Sequence, residues 1–357
     1  GIVGVIGSSL ILCFYSVIAG WVLKYLVGTL TGGLWRAAGN DYGGYFTQFT
    51  SNAGEPIVWQ FVMLACSVCV VGGGVKQGIE TVNRFLMPIL ALFVIVLAGY
   101  SSTFPGASAG WAFLFKPNWS ALFQTDVLIA AIGQAFFSLG VGMAIFITYA
   151  SYLKQKSRLP VLAAAVVFGD TLFAVIAGLA IFPAVFAFGM TPDAGPSLAF
   201  ITLPQIFLSM PGGAVIGVVF FALLSLAALT SMISLLEVPV ATLICRLGWS
   251  RWQAVLVLGI AVFIAGMPLA LSFGVLAEVK WMGYHLLDLA DRIASNYLLP
   301  AAGMLVAIFV GWRWNRTNAL SASDLRNRWV GITWIWLLRT VVPIMILVIL
   351  VDSLRAS

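Results

Sequence analysis

Long apolar runs separated by short polar stretches dominate this chain. Nine such segments can be read, at roughly 2–28, 55–72, 85–101, 125–151, 160–188, 212–244, 252–275, 280–312 and 329–351. A helix needs about 17–25 mostly apolar residues to cross the hydrocarbon core of a bilayer. Runs longer than about 25 residues tilt, break or extend beyond the lipid. The pattern predicts an all-α, polytopic membrane protein with about nine transmembrane helices.

Composition leads to the same class. Of the 357 residues, 62% are hydrophobic and 8% are charged, and the mean hydropathy is +1.07. Soluble domains average about 45–50% apolar and about 25% charged residues, so a water-soluble fold could not cover itself with so few charges. No linker or low-complexity stretch divides the sequence. We therefore expect one transmembrane domain over residues 1–357.

The net charge of +6 could suggest a nucleic-acid partner, but the basic residues lie in short loops and no nucleic-acid motif is present. Eleven follow segments 2, 4, 6 and 8, namely Lys76, Arg84, Lys154, Lys156, Arg158, Arg246, Arg251, Arg313, Arg316, Arg326 and Arg328. The other loops hold three, Arg36, Lys116 and Lys280. Basic loops favour the cytoplasmic side, so the pattern predicts a cytoplasmic N-terminus and an extracytoplasmic C-terminus.

The fourth segment contains an interruption. It reads Gly-Gln-Ala-Phe-Phe-Ser-Leu-Gly-Val-Gly over residues 133–142, with Ser138 shortly before Gly140 and Gly142. Glycine weakens a helix, and a break at membrane depth is tolerated only where backbone lines a cavity or is buried in protein. Broken helices form midplane sites in transporters. Close helix packing through small residues is the alternative explanation.

Four acids lie within or beside the apolar segments: Asp170, Glu237, Asp288 and Asp291. A charge in lipid is costly, so each is a candidate functional residue. Asp288 and Asp291 are three apart and share a helical face, which also fits a solvated helix entrance. Glu237 precedes Pro239 and could alternatively satisfy local backbone groups.

Two neighbouring hydroxyls, those of Thr230 and Ser231, also lie within an apolar segment. They could bond carbonyls of their own helix, or they could supply oxygen ligands for a hard cation such as Na⁺. Point-like polar positions of this kind argue against a channel, which needs a continuous polar stripe. The sequence contains no Ser-His-Asp pattern, HExxH motif or Walker A motif, which disfavours an enzyme or an ATP-driven pump.

Residues 133–152, which end in Thr-Tyr-Ala-Ser-Tyr, resemble the sixth helix of the neurotransmitter:sodium symporter family, the amino-acid transporters of the LeuT fold. Further matches are Tyr15 with Gly20-Trp21 (third helix), Gly78 to Pro88 (fifth), Leu198 to Pro204 (loop before the eighth), Ala228 to Ser231 (eighth) and Asp288-x-x-Asp291 (tenth). The resemblance implies a LeuT-type inverted-repeat fold, with this chain equivalent to family helices 3–11 and truncated before them.

The resemblance also implies roles for individual residues. The substrate pocket would be lined by Ile11, Tyr15, Phe137, Ser138, Gly140, Met143, Ser231 and Leu235. One sodium would bind at Ser138 and Asp170, and a second at Ala227, Thr230 and Ser231. Tyr15, Phe137 and Asp291 would form gates, whereas Gly78 and Pro88 would let the fifth helix unwind.

The function implied by the resemblance is sodium-coupled symport of a neutral L-amino acid by alternating access in a bacterial inner membrane. Gly140 leaves room and Met143 offers an adaptable thioether wall, which favours a bulky apolar or aromatic substrate. Asp170 stands where many members have asparagine, and its charge would reduce any need for chloride, which is left open together with the oligomeric state. The alternative is a transport-inactive structural or regulatory membrane protein of the same fold. The absence of the first two helices favours this alternative, and the chain is expected not to transport by itself.

Overall fold

The computed structural model describes residues 1–39, 41–153, 158–190, 195–325 and 328–355. In these ranges the chain forms seventeen α-helices: α1 Ile2–Leu30, α2 Gly33–Ala38, α3 Tyr42–Ser51, α4 Glu55–Gly72, α5 Thr81–Ser101, α6 Ala107–Phe115, α7 Thr125–Ser138, α8 Ile145–Ala150, α9 Leu159–Ala187, α10 Leu203–Ser209, α11 Gly213–Leu247, α12 Arg251–Ala270, α13 Leu286–Arg292, α14 Leu299–Ile308, α15 Arg316–Ala322, α16 Arg328–Arg339 and α17 Val341–Arg355. Four π-helical turns, Val75–Glu80, Leu198–Thr202, Ile293–Leu298 and Phe309–Arg313, and a 3₁₀ turn, Ala121–Phe123, complete the helical elements. The predicted all-α architecture is confirmed. Lys154, Lys156 and Arg326, which were counted among the loop charges, lie outside the described residues.

Eight helical stretches are long and apolar enough to cross a membrane. They are Ile2–Leu30, Glu55–Gly72, Val75–Ser101, Leu159–Ala187, Gly213–Leu247, Arg251–Ala270, Leu286–Arg313 and Trp329–Leu354. Each corresponds to one predicted segment. The remaining predicted segment, 125–151, is divided between α7 and α8, so neither piece alone reaches spanning length.

Two predicted boundaries were wrong. Residues assigned to the start of segment 280–312 form a two-stranded antiparallel hairpin instead, with Lys280 opposite His285, and the helix begins at Leu286. Met282 and Gly283 connect the strands with φ values of 53° and 84°, the conformation of a two-residue hairpin turn with positive φ at both positions. An apolar run alone does not separate such a hairpin from a helix start.

The other wrong boundary lies before α5. The helical stretch begins at Val75, ten residues before the predicted segment. The prediction started too late because the first turns of the helix carry charged residues, which hydropathy does not assign to a span. Glu80 and Arg84, four residues apart, form an ion pair of 2.9 Å on the helix surface there. Such pairs add about 0.2–0.5 kcal/mol to an exposed helix, so polar sequence and helix coexist at this end.

Helix α1 lies at the centre of the fold, where it contacts α4, α11 and α12. Glycine allows the close approach to α4: a Cβ atom on Gly20 would lie 2.6 Å from the backbone nitrogen of Gln60. The amide of Gln60 is fully buried and donates to Ser16 Oγ over 3.1 Å. This hydrogen bond links α1 to α4, and its loss would leave the buried amide nitrogen without a partner, which is costly.

The outer helices have the opposite character. Almost none of the apolar stretch of α9 is buried inside the protein, and Val161, Val167 and Phe168 are exposed. A soluble monomer rarely exposes an apolar surface of this size. Such a surface is what a helix facing lipid requires, which agrees with a multi-pass membrane protein.

Candidate functional site

The interruption predicted in the fourth segment is present between α7 and α8. Helix α7 ends at Ser138 and α8 begins at Ile145. Between them Gly140, Gly142 and Ala144 have φ values of 66°, 89° and 59°. Glycine adopts this left-handed region without the steric penalty of other residues, which explains why glycines occur here.

The break leaves backbone oxygens without their usual helical partners. Among the described residues, no backbone N–H donates to the carbonyls of Ser138, Leu139 or Gly142. The carbonyl of Met143 accepts a short hydrogen bond from Ser8 Oγ of α1, whose one proton is shared with Gly4 O at 3.0 Å. Unpaired carbonyls at the end of a half-helix carry partial negative charge, so they can coordinate a cation.

The segment that connects α7 and α8 also packs closely against its neighbours. A Cβ atom on Gly4 would lie 2.8 Å from the carbonyl oxygen of Gly142. A Cβ atom on Gly142 itself would collide with the carbonyl of Leu299, at the start of α14. Small residues therefore serve both explanations that the sequence left open, since they permit the break and the close packing.

Two of the predicted sodium ligands lie together at this break. Ser138 Oγ donates to both carboxylate oxygens of Asp170, over 2.7 Å and 2.8 Å. Asp170 belongs to the middle of α9 and is half-buried, whereas Ser138 is exposed. The pair gathers three side-chain oxygens next to the unpaired carbonyls at the end of α7, which is a set of ligands that suits a hard cation.

On α11 the predicted hydroxyls have separate environments. Thr230 Oγ1 donates to Ala227 O of its own helix over 2.9 Å, so the intrahelical alternative is realised for this residue. Ser231 is exposed on the neighbouring face and lies close to the Tyr15 hydroxyl of α1. The structure thus brings together Tyr15 and Ser231, two of the predicted substrate residues.

The apolar members of the predicted substrate site divide into buried and exposed groups. Ile11, Met143 and Leu235 are buried in one continuous core, with Tyr15 packed against it. Phe137, which was predicted to line the pocket and to form part of a gate, is 38% exposed. The nearby apolar cavity of about 240 Å³ between the break and α14 is lined by only one predicted substrate residue, Gly140. This cavity is therefore not the predicted pocket.

The acids of α13 and the residues at the start of α5 match their predictions less directly. Asp288 and Asp291 are both exposed, and Asp291 accepts the Ser295 hydroxyl over 2.8 Å, as a solvated helix entrance would require. Gly78 lies in the π turn before α5, where a Cβ atom would collide with Val70 O. Helix α5 is continuous through Pro88, so its unwinding stays a prediction about another conformation.

Glu237 has partners that the sequence did not suggest. It is fully buried and accepts from Tyr152 OH over 2.5 Å. Arg251 forms a short ion pair with its other oxygen and also donates to Val71 O over 2.6 Å. Glu237 therefore joins α11 to α12 and to the turn after α8, and Arg251 extends the contact to α4. The interpretation that Glu237 satisfies local backbone groups was wrong.

Tyr152 stays a hydrogen-bond donor in this arrangement, because burial and the negative charge of Glu237 raise the pKa of its phenol. One turn earlier, Tyr149 OH donates to Ser234 Oγ over 3.0 Å. The two tyrosines, three residues apart in Thr-Tyr-Ala-Ser-Tyr, thus both reach α11. The spacing of the two tyrosines could have predicted that both contact the same neighbouring helix. Nothing in the sequence indicated such a contact for Arg251, which had been counted only as a loop charge.

Comparisons with known proteins agree with this architecture. A family model described as "Sodium:neurotransmitter symporter family" matches residues 46–357. An uncharacterized sodium-dependent transporter, YhdH of Bacillus subtilis, is 37% identical over 99% of this chain and 78% of its own length. One from Haemophilus influenzae is 30% identical with the same coverage. The crystal structure of MhsT in complex with L-phenylalanine is 48% identical, with a TM-score of 0.91 over 99% of this chain and 80% of MhsT.

Proposed function

The chain belongs to the sodium:neurotransmitter symporter family, and from this premise we propose that it belongs to a bacterial transporter that moves a neutral L-amino acid together with sodium. Sodium-coupled symport is the activity of the family. The choice of an amino acid, and of an apolar or aromatic one, is our proposal.

The observation that carries the proposal is the contact between Ser138 and Asp170 at the broken helix. A carboxylate at this depth is costly unless a counter-charge or hydrogen bonds accompany it. In this structure the Ser138 hydroxyl shares its one proton between both oxygens. When sodium occupies the site it replaces that hydroxyl proton as the partner of the carboxylate, and the hydroxyl oxygen is then free to turn toward the ion.

A bound amino acid presents the complementary problem. It is a zwitterion, and both of its charges need partners in a site of low polarity. Sodium beside the substrate carboxylate, together with the Tyr15 hydroxyl, provides partners for the negative end. The unpaired carbonyls at the end of α7 accept from the ammonium group. Membrane potential then favours entry of the bound cation by about 2.3 kcal/mol per charge per 100 mV.

The side chain of the substrate faces the apolar residues in our proposal. Ile11, Met143 and Leu235 contribute buried apolar surface to a common core, and Gly140 adds no side chain of its own. MhsT, the similar solved structure, is in complex with L-phenylalanine. Both observations support a bulky apolar or aromatic L-amino acid over glycine or an acidic one.

The test uses the full-length gene product in proteoliposomes with an inward sodium gradient. We expect uptake of radiolabelled L-phenylalanine or L-leucine that stops when choline replaces sodium, and that increases when the interior is made negative. Competition by the twenty standard amino acids ranks the substrates. Uptake that is unchanged in choline would overturn the symport proposal, and preference for glycine or glutamate would overturn the proposed substrate class. Binding without any uptake would favour a transport-inactive protein.

A further inference from the structure

A second apolar cavity, of about 410 Å³, is lined by none of the residues of the proposed transport site. It opens between the start of α9, the π turn after α14, helix α15 and helix α16. Its walls include Leu159, Ala163, Val310, Trp314 and Trp334. Its volume is in the range of pockets that bind small molecules, about 300–1,000 Å³.

The cavity lies where three membrane spans meet one face of the membrane. One span begins at Leu159, a second ends at Arg313 and a third begins at Trp329. The second and third are joined by a short connection that contains α15, so these two ends are on the same side. Because Leu159 lines the same cavity, the start of α9 is on that side too. The cavity is therefore at the depth where acyl chains meet headgroups.

Tryptophan is abundant around the cavity. Trp314 and Trp334 line it, while Trp312 and Trp329 nearby are 64% and 78% exposed. Tryptophan is enriched at membrane–water interfaces, because its ring is apolar and its N–H is polar. This clustering supports the placement at the interface independently of helix length.

Three arginines are close in the chain to residues of the cavity wall or of the span that ends there. Arg158 immediately precedes Leu159, while Arg313 and Arg316 flank Trp314 in the chain, and all three are exposed. Within the described ranges, none of the three forms an ion pair with an acid. The acid nearest in sequence to the cavity wall, Asp324, already has an interaction partner within the chain. The rim therefore carries uncompensated positive charge.

We propose that this cavity binds an anionic phospholipid, with an acyl chain between α9 and α16 and the phosphate against the three arginines. Arginine suits this role, since its planar guanidinium can form two parallel hydrogen bonds to phosphate. An apolar cavity at interface depth does not suit a freely dissolved anion. A positively charged rim favours a lipid with a net negative headgroup over a zwitterionic one. Apolar walls and basic rim together select a lipid that has both parts.

The test measures lipid retention by native mass spectrometry of the full-length protein, purified in neutral detergent and titrated with phosphatidylglycerol or phosphatidylcholine. We expect preferential retention of phosphatidylglycerol. Each arginine near a surface contributes about fivefold to binding of an anionic lipid. Arg316→Gln should therefore weaken retention about fivefold, and Arg313→Gln with Arg316→Gln more than tenfold. Lys116→Gln, which removes an exposed charge elsewhere, is the matched control and should change nothing.

A second variant addresses the acyl chain rather than the charge. Ala163 is exposed on the cavity wall, so Ala163→Phe fills the space without disturbing packed helices. It should reduce phosphatidylglycerol retention while the thermal stability without lipid stays unchanged. Equal retention of both lipids, or equal losses from Lys116→Gln and Arg316→Gln, would overturn the proposal. Displacement of the lipid by millimolar inorganic phosphate would also overturn it, since that result indicates an anion site without a requirement for acyl chains.

Discussion

The hydroxyl of Ser138, the last residue of α7, donates to both carboxylate oxygens of Asp170 on α9. If this contact marks a sodium site, loss of the charge should weaken sodium more than substrate. A charged hydrogen-bonding partner contributes about 1.5–3 kcal/mol, which corresponds to about ten- to hundredfold in affinity. Asp170→Asn should therefore raise the sodium concentration for half-maximal uptake by at least about tenfold, and Asp170→Ala should abolish uptake.

Asp126 provides the control for that experiment. It is an exposed acid in the first turn of α7, twelve residues before Ser138. Asp126→Asn should leave the sodium dependence of uptake unchanged, because its charge is at the entrance of the helix. A sodium curve for Asp170→Asn that overlays the wild-type curve would show that Asp170 is not a ligand.

Gly142 should be intolerant of any side chain. Its φ is 89°, and an added Cβ atom would collide with the carbonyl of Leu299. A residue with a Cβ loses about 1–2 kcal/mol in this conformation, and overpacking adds about 1–3 kcal/mol. Gly142→Ala should thus destabilise the protein by at least about 2 kcal/mol, measured as a lower midpoint of thermal unfolding in detergent.

The matched control is on the same broken helix. Gly133 lies within α7, and a Cβ atom added there would meet nothing within 4 Å. Gly133→Ala should leave stability unchanged or increase it by up to about 1 kcal/mol, because alanine favours helix. Equal destabilisation by the two substitutions would show that the break does not depend on the conformation of Gly142.

These glycines show how far sequence reasoning reaches. Three positive-φ positions within five residues, at Gly140, Gly142 and Ala144, make a break that glycine density predicted. The partner of the break could not be predicted, because Gly4 and Leu299 are distant in sequence and match no pattern of their own. Local conformation was therefore available from the sequence, and the tertiary contact was not.

The ion pair between Glu237 and Arg251 should show an asymmetric response to substitution. Glu237 is fully buried, whereas Arg251 keeps 22% of its side-chain exposure. Arg251→Gln leaves a buried carboxylate with only Tyr152 as a partner, and breaking a buried pair costs about 3–5 kcal/mol. Glu237→Gln should cost less, since the arginine can still reach water. Thermal unfolding of both variants measures the difference.

The double variant separates a pairwise contact from two unrelated defects. With both charges removed, no buried charge is left alone, so Glu237→Gln with Arg251→Gln should recover part of the loss. Coupling between contacting residues is about 0.5–3 kcal/mol. Strictly additive losses would contradict the ion pair. The pairing was missed from sequence because charge patterns identify a loop arginine as a topology signal and contain no information on which buried acid it meets.

Tyr15 should matter for the substrate rather than for the fold. Its hydroxyl lies close to Ser231, an exposed residue, so a bound ligand can contact both hydroxyls. Tyr15→Phe removes a donor to the proposed substrate carboxylate, which should raise KM for the amino acid about ten- to hundredfold. Tyr25, on the same helix, has a buried hydroxyl without a hydrogen-bond partner in the described structure. Tyr25→Phe should leave KM unchanged, and an equal rise in both variants would contradict the role of Tyr15.

The predicted orientation in the membrane rests on the loop charges, with eleven basic residues in one set of loops and three in the other. Two exposed positions from opposite sets of loops test it, Lys116 after α6 and Asn318 within α15. In a background without the native cysteines, a membrane-impermeant maleimide should label Lys116→Cys in intact cells. It should label Asn318→Cys only after permeabilisation, because the basic loops are retained in the cytoplasm. The reverse pattern would place the three-arginine rim on the outer leaflet, and sodium would then enter the broken-helix site from the opposite side.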